Sequence, residues 1–197
     1  MAAPITLPQS FYLRPVTVVA RDLLGKRLVR ELNGRRLSGT IIETEAYNGE
    51  DDLACHAHAG LTPRTRIMYG PAGHAYIYFT YGIHWMLNCV TGEVGFPAAV
   101  LIRALFPDEG LDVIAAQRTG IPRTRWTNGP AKICMAFNID KSFNSKPLYD
   151  PEESLYLEYH LEFPDHSIQS SSRIGIDHVP EPWRSIPWRF QVSYSGN

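Results

Sequence analysis

The chain has 197 residues, 44% of them hydrophobic and 20% charged, a balance that excludes a collagen-like, coiled-coil or wholly disordered protein. At this length a single domain buries about two-thirds of its unfolded surface without metal or disulfide crosslinks. The 19 Lys and Arg residues nearly cancel the 20 Asp and Glu residues, and the net charge of −1 argues against a strongly basic nucleic-acid-binding protein.

The first predicted elements are a short helix and a β-hairpin. Residues 15–24 predict a helix with a proline at its start and a glycine just after its end. Residues 26–29 and 37–47 predict two strands. The Asn33-Gly34 pair between them is a strong signal for a tight hairpin turn.

The middle of the chain predicts a loop, a second hairpin and a buried strand. Residues 51–66 have no clear hydrophobic period and predict an ordered loop. Residues 74–80 and 85–90 predict paired strands that turn at the Tyr-Gly pair of residues 81–82. The apolar run over residues 98–105 predicts a buried strand.

The remaining predicted elements are two helices, a half-exposed strand and a short final strand, over residues 110–118, 129–137, 155–161 and 189–193. No repeat, low-complexity block or linker interrupts the sequence. It therefore predicts a single α+β domain dominated by strands over residues 1–197, with residues 1–10 as a loosely ordered N-terminal segment.

Cysteine usage and hydropathy bear on the cellular compartment. Cys55, Cys89 and Cys134 are widely spaced and form no C-x-x-C pair, which is typical of reduced thiols in the cytosol. No apolar run reaches about 18 residues, and residues 1–9 lack the basic and apolar parts of a secretory signal. We therefore expect a cytoplasmic protein without a membrane partner, and a compact chain of this kind suits the bacterial cytoplasm.

The first candidate site is the segment I-I-E-T-E-A-Y that ends at Tyr47. On a strand, Glu43, Glu45 and Tyr47 lie on one face, because side chains alternate between the two faces. Two carboxylates and an aromatic ring on one face are typical of a pocket wall, and a poorly solvated carboxylate with a raised pKa suits a general base. The alternative is the exposed polar face of an edge strand.

The second candidate is Cys55-His-Ala-His58, with Asp51 and Asp52 upstream. Thiol, imidazole and carboxylate groups within eight positions resemble a metal site. The spacing is poor for one, because Cys55 and His56 are adjacent and no second ligand pair follows. A hydrogen-bonding or stacking role for His56 in a pocket fits the spacing better.

The third candidate is the tyrosine-rich hairpin. Tyr76 and Tyr78 share one strand face, where tyrosines are usually half-buried structural residues. Tyr81 falls at the turn, where a large ring buries little within its own fold. An aromatic ring at such a tip is a candidate wedge between stacked bases.

Several basic residues complete the candidate set. Arg64 and Arg66 lie in the predicted loop, and Arg103 lies within the apolar strand, where a buried charge requires a partner. That partner is either a purely structural carboxylate or a functional one such as Glu45. Lys132 lies one turn into a predicted helix start, an arrangement that can hold a phosphate.

The order of these motifs carries a family resemblance. E-T-E-A-Y is followed by His56, T-P-R-T-R, Y-x-Y-x-x-Y-G, Asn88 and R-A-L, and later by G-P-A-K-I-C-x-A-F-N-I-D-K-S. This order resembles the alkyladenine DNA glycosylases, also called 3-methyladenine or methylpurine DNA glycosylases. The resemblance runs from about Pro15 to Val192, nearly the whole chain.

The resemblance implies a fold and an activity. The implied fold is a mixed, largely antiparallel curved sheet with flanking helices and a protruding hairpin that intercalates into DNA. The implied activity is excision of damaged purines from double-stranded DNA by N-glycosidic hydrolysis, leaving an abasic site, with substrates such as 3-methyladenine, 7-methylguanine, hypoxanthine and ethenoadenine. We expect a monomer that needs no cofactor or metal. Because the pocket motifs contain no catalytic lysine, we also expect a monofunctional enzyme.

Residue roles also follow from the resemblance. Glu45 matches the general base, Arg103 an arginine that helps to hold the attacking water, and the backbone carbonyl of Ile174 a third water contact. The residues matching the walls and crowding groups of the base pocket are Tyr47, His56, Tyr78 and Asn88. Tyr81 matches the side chain that fills the gap in the duplex. The residues expected to contact the DNA backbone are Arg64, Arg66, His84, Lys132 and Lys141.

Local charge fits this expectation better than the total charge. Residues 11–40 carry +5 and residues 111–150 carry +3, whereas residues 41–60 and 151–165 each carry −5. Phosphate contact depends on local cations, so the net charge of −1 does not exclude DNA.

The sequence departs from the family pattern in two places, and two alternative functions are compatible with its motifs. Residues 82–85 beside the wedge and the slightly long loop at residues 90–97 differ from the family pattern, which bears on the choice of lesion. One alternative is a non-catalytic damaged-DNA-binding protein of the same fold. The other is a metal-dependent hydrolase that uses Asp51, His56 and His58.

Overall fold

The computed structural model describes residues 5–196, in which one eight-stranded antiparallel sheet is covered by short helices. The helices are α1 (Gln9–Tyr12), α2 (Val16–Asp22), α3 (Leu111–Gln117) and α4 (Pro130–Ala136). The strands are β1 (Arg27–Leu32), β2 (Arg35–Asn48), β3 (Ala75–Thr80), β4 (His84–Val90), β5 (Ala98–Glu109), β6 (Leu155–Glu158), β7 (Gln169–Ser171) and β8 (Arg189–Gln191).

The sheet is open, with strand order β3-β4-β5-β2-β1-β6. The long strand β2 pairs with β5 along one side. Along its other side it pairs first with β1 and then with β8, which in turn pairs with β7. The predicted α+β class with a largely antiparallel sheet is therefore confirmed, and β2 is the strand through which most of the sheet is connected.

Both predicted hairpins are present. Asn33 and Gly34 have φ values of 51° and 73°, as a two-residue turn between β1 and β2 requires. At the second hairpin, Tyr81 has a φ of 53°, a left-handed conformation that is uncommon for a bulky residue. This turn joins β3 to β4.

Alternation along the strands divides the buried residues into two clusters. Ile77, Leu87 and Val100 belong to the main core, which α2 and α4 cover. Their neighbours Tyr76 and Ala99 belong to a smaller cluster that packs under the loop following β2. Because successive side chains point to opposite faces, Tyr76 and Tyr78 of β3 lie on the face away from the main core.

Three regions differ from the prediction. Strand β6 is predicted half-exposed, yet all four of its residues are buried, because β1 pairs with it and arginines cover Glu158. Helix α1 and strand β7 are too short to give a periodic signal. Over residues 5–10 the expected loose segment is instead tied down, since Thr6 pairs with Glu158 and Leu7 is fully buried. Residues 1–4 lie outside the described residues.

The predicted free thiols are confirmed, since all three cysteines are buried and unpaired. Among residues 5–196, no helix is both long and apolar enough to cross a membrane.

Candidate active site

An aromatic-walled cavity of about 390 Å³ lies on the face of the sheet away from the main core. Strands β2 to β5 and two loops contribute to its lining, which includes Tyr47, His56, Tyr76, Tyr78, Asn88, Arg103 and Ile174. A larger cavity of about 810 Å³ beside the end of β5 contains none of the residues predicted for catalysis or base stacking. The residues predicted for catalysis and base stacking therefore lie at the smaller cavity.

Glu45 is fully buried beside this cavity, and three donors converge on its carboxylate. Oε2 accepts hydrogen bonds from Arg103 Nη1 at 3.0 Å and from Tyr47 Oη at 2.9 Å. Oε1 accepts from the backbone N–H of Ile174 at 2.7 Å. Burial, and then the charge of Glu45, raise the pKa of Tyr47 well above its ordinary value, so its hydroxyl remains a donor.

A β-bulge delivers Arg103 to this carboxylate. In the pairing of β2 with β5, Thr44 lies opposite Ile102 and Glu43 lies opposite Ala104, which leaves Arg103 without a partner in the ladder. Its guanidinium reaches both acids of β2, with Nε 2.8 Å from Glu43 Oε1. Burial alone would lower the pKa of Arg103, but Glu45 and Glu43 outweigh it and raise that pKa.

Glu43 and Glu45 lie on one face of β2, as the alternation predicts, but their surroundings differ. Arg103 lies between the two carboxylates and pairs with each. Glu43 also accepts from Arg189 Nε at 2.6 Å, a contact that the sequence analysis missed because β8 lies 146 residues away. The edge-strand alternative is wrong, since β2 is paired on both sides.

The far wall of the cavity is a cluster of rings. His56 meets Tyr78 nearly edge-on, with ring centroids 4.5 Å apart. His56 Nδ1 lies 2.9 Å from Tyr76 Oη, and Nε2 lies 3.3 Å from Arg64 Nη2. Burial and then Arg64 lower the pKa of His56 to about 4, so the ring is neutral at pH 7. Because a guanidinium only donates, Nε2 is the acceptor and Nδ1–H donates to Tyr76.

Asn88 is held at the floor of the cavity. Its Nδ2 donates to the backbone carbonyl of Tyr76 at 3.0 Å, and its side chain is buried. This bond fixes the orientation of the amide between β3 and β4.

Comparison with known proteins decides the family. Residues 10–195 match the family model described as methylpurine-DNA glycosylase (MPG). The chain belongs to the methylpurine-DNA glycosylase family. The family predicted from the motif order is therefore confirmed, and its members are DNA glycosylases, enzymes of DNA repair.

Similar proteins come from diverse organisms. One from Myxococcus xanthus is 47% identical over 94% of this chain and 89% of its own length. One from Methanocella arvoryzae is 46% identical over 93% of this chain and 90% of its own length. A third, from Carboxydothermus hydrogenoformans, is 45% identical over 94% of both chains. Each is named "Putative 3-methyladenine DNA glycosylase".

In this glycosylase the hairpin tip is exposed, as predicted. Tyr81 is 86% exposed and Ile83 is 68% exposed, although large apolar side chains are normally buried. Phe79 and Trp85 pack against each other below the tip, with ring centroids 4.5 Å apart. Tyr81 also borders the mouth of the cavity, so the hairpin projects beside the entrance.

The residues expected at the DNA backbone of the glycosylase have varied surroundings. Arg64, Arg66 and Lys141 are exposed, and Lys132 donates to Asn128 Oδ1 at 2.7 Å. None of these four cations forms an ion pair with an acid among residues 5–196. His84 is half-buried and pairs with Thr80 next to the turn of the hairpin. The four cations therefore remain available for an anionic partner.

The metal-site alternative is not supported by the fold of the glycosylase. His56 is engaged by Tyr76 and Arg64, while His58 lies 3.0 Å from the backbone oxygen of Glu50. Burial raises the pKa of the Cys55 thiol to about 12, which disfavours a metal-binding thiolate. Within the described part of the chain, no three His, Cys, Asp or Glu side chains are grouped to hold a metal ion.

The structure places Ile174 beside Glu45. Its N–H donates to the Glu45 carboxylate, and the contact of its carbonyl with water stays a prediction. The fully buried pair of Asp52 and Arg173 was not predicted from the sequence, although Arg173 directly precedes Ile174. These residues are 121 positions apart, and no local pattern links them.

Proposed function

We propose that the protein hydrolyses the N-glycosidic bond of alkylated or deaminated purines in double-stranded DNA, such as 3-methyladenine, 7-methylguanine, hypoxanthine and ethenoadenine. The observation that carries the proposal is a fully buried carboxylate, Glu45, held by three residues that all line an aromatic cavity. A base held in this cavity would lie beside the carboxylate. Membership in the glycosylase family agrees with this reaction.

The exposed hairpin supports entry of the base by flipping. Taking a base out of the stack costs a few kcal/mol, and least for a damaged or mispaired base. Tyr81 fills the gap in the duplex, because its ring projects beside the mouth of the cavity. Stacking on tyrosine and histidine rings returns about 1–3 kcal/mol per base. Tyr47, His56 and Tyr78 supply these rings, and a cationic alkylpurine gains further from electron-rich tyrosine faces.

The buried carboxylate supports general-base catalysis. A carboxylate has about four lone-pair positions, and Arg103, Tyr47 and Ile174 use three of them. Glu45 therefore retains about one acceptor position, which takes the proton of an attacking water. Its charge also stabilises the oxocarbenium-like sugar as the bond to the base breaks. Arg103 orients both the carboxylate and the water.

The cavity supports a hydrolytic and not a lyase reaction. A Schiff-base mechanism requires an amine at the sugar, and no lysine is among the residues that line this cavity in the described chain. Water is then the nucleophile and the product is an abasic site. Asn88, fixed by its bond to Tyr76, crowds the position of a guanine amino group and limits which purines enter.

Incubation with damaged duplexes tests the proposal. Duplexes carrying 3-methyladenine, hypoxanthine or ethenoadenine are incubated with the protein, and strand cleavage is read after alkali. We expect cleavage at the lesion only after alkali treatment, with undamaged duplex as the control. Binding without cleavage of any duplex would support the non-catalytic alternative and overturn the proposal.

A chelator separates the remaining alternative. We expect full base release in EDTA, because Glu45 activates water without a metal. Loss of activity in EDTA that zinc restores would instead support a metal-dependent hydrolase.

A further inference from the structure

A buried ion pair behind the cavity joins three parts of the chain. Arg173 Nη1 lies 2.5 Å from Asp52 Oδ2, and Nη2 lies 2.8 Å from Oδ1. Both side chains are 0% exposed. Burying such a pair adds little stability by itself, so its two-point geometry is the feature to explain.

Arg173 is attached to the strand that carries Glu45. Its Nη1 donates at 3.0 Å to the backbone carbonyl of Ala46, which directly follows Glu45. Its guanidinium lies between the rings of Tyr47 and Trp188, at 4.8 and 5.3 Å from their centroids. The arginine is thus fixed on β2 in both position and orientation.

Asp52 extends the same connection into the loop that leads to His56. Its carboxylate accepts hydrogen bonds from the backbone N–H groups of Asn48 and Ala54, each at 3.1 Å. Asp52 therefore orders the start of the loop that forms one wall of the cavity.

The third part of the chain is Ile174, which directly follows Arg173 and donates its N–H to Glu45 at 2.7 Å. Gly175, next in sequence, has a φ of 79°, so the chain turns away immediately after this contact. The contact between Ile174 and Glu45 consequently depends on where Arg173 is held.

We propose that Asp52 and Arg173 are positioning residues that hold the Ile174 N–H against Glu45, so that the remaining acceptor position of the carboxylate is directed at the attacking water. The role rests on the proposed glycosylase function. Neither residue is among those that line the cavity. Their loss therefore slows base release much more than it weakens recognition of the lesion.

The test is a comparison of rate with affinity in Arg173→Lys and Asp52→Asn. Lysine keeps the charge of Arg173, but one nitrogen cannot hold both oxygens of Asp52 and the carbonyl of Ala46 together. We expect the single-turnover rate on a hypoxanthine duplex to fall roughly 10- to 100-fold in each variant. Affinity for the same duplex, measured in a Glu45→Gln background, should stay within about threefold.

Arg36→Lys is the matched control, because Arg36 pairs with the nearly buried Glu158 far along β2. Its rate should equal that of the wild type. Circular dichroism verifies that each variant is folded.

Each outcome decides the role. Wild-type rates in both folded variants would overturn it and leave the proposed function intact. Equal losses of rate and affinity, or failure of both variants to fold, would show a purely structural pair and also overturn it. An inactive wild type would overturn the proposed function, and this role with it.

Discussion

The two halves of β2 both carry arginine–carboxylate networks, and they differ in what surrounds them. In the first half, Arg36 and Arg27 pair with Glu158, whose side chain is only 7% exposed. In the second half, Arg103 pairs with Glu45, whose side chain is 0% exposed. Burial and residue type are thus nearly the same at the two carboxylates.

The two networks differ in the residues that surround each carboxylate. Two arginines and the edge of the sheet surround Glu158. Arg103, Tyr47 and Ile174 surround Glu45, and all three line the aromatic cavity. A buried acid paired with arginine is therefore no sign of catalysis in itself, and hydrogen bonds to residues that line a ligand cavity distinguish the candidate base from the structural ion pair.

The strongest test of this contrast exchanges each acid for its amide. We expect Glu45→Gln to lower the single-turnover rate of base release by roughly 100- to 10,000-fold, because an amide cannot take the proton of water. Lesion-duplex binding should persist. Glu158→Gln should lower thermal stability and leave the rate of the folded enzyme unchanged. Similar rate losses in both variants would break the comparison.

A second test contrasts exposed rings near and far from the cavity. Tyr81→Ala should weaken affinity for lesion duplex by about 1–3 kcal/mol, because one stacking ring is lost. Tyr159, 45% exposed just beyond β6, is the control, and Tyr159→Ala should have no effect on affinity. Equilibrium titration measures both. Wild-type affinity and turnover in Tyr81→Ala would show that Tyr81 does not intercalate.

A third test contrasts unpaired with paired arginines. Arg64 and Arg66 have no acidic partner among residues 5–196. We expect Arg64→Ala and Arg66→Ala each to reduce the slope of log affinity against log salt concentration by about 1. Arg35 is already paired with Asp112 at 2.9 Å and was not predicted to contact DNA. Arg35→Ala should therefore leave the slope unchanged. An affinity of the wild type that salt hardly alters would contradict phosphate contact altogether.

The smallest expected effect concerns His56 in the wall of the cavity. His56 has a pKa of about 4 when folded, against an ordinary 6.5, so the unfolded chain takes up the proton first as the pH falls. The stability due to neutral His56 is full above about pH 6.5 and is lost between 6.5 and 4. His56→Gln should therefore reduce the decline of the melting temperature across this window by a few °C, as thermal melts at a series of pH values would measure, and an unchanged decline would contradict the burial of a neutral His56.

Local patterns predicted a good part of the fold and the site. The Asn33-Gly34 turn, the exposed Tyr81 and the shared face of Glu43, Glu45 and Tyr47 follow from backbone preferences and from the period of two in a strand. The same reasoning was wrong for β6, whose alternation predicts an exposed face. Ion pairs from distant strands bury Glu158 there.

The family resemblance predicted that Glu45, Arg103 and Ile174 share one site, and only the tertiary structure shows the contacts that assemble it. The bulge that turns Arg103 toward two carboxylates, the contact of Ile174 with Glu45 and the pairing of Asp52 with Arg173 join segments about 60 to 130 residues apart. Turn and strand preferences act over a few neighbouring residues, so they are legible in the sequence. The long-range contacts form only when many weak packing interactions bring distant strands and loops together. No single segment of the sequence contains enough information to predict them.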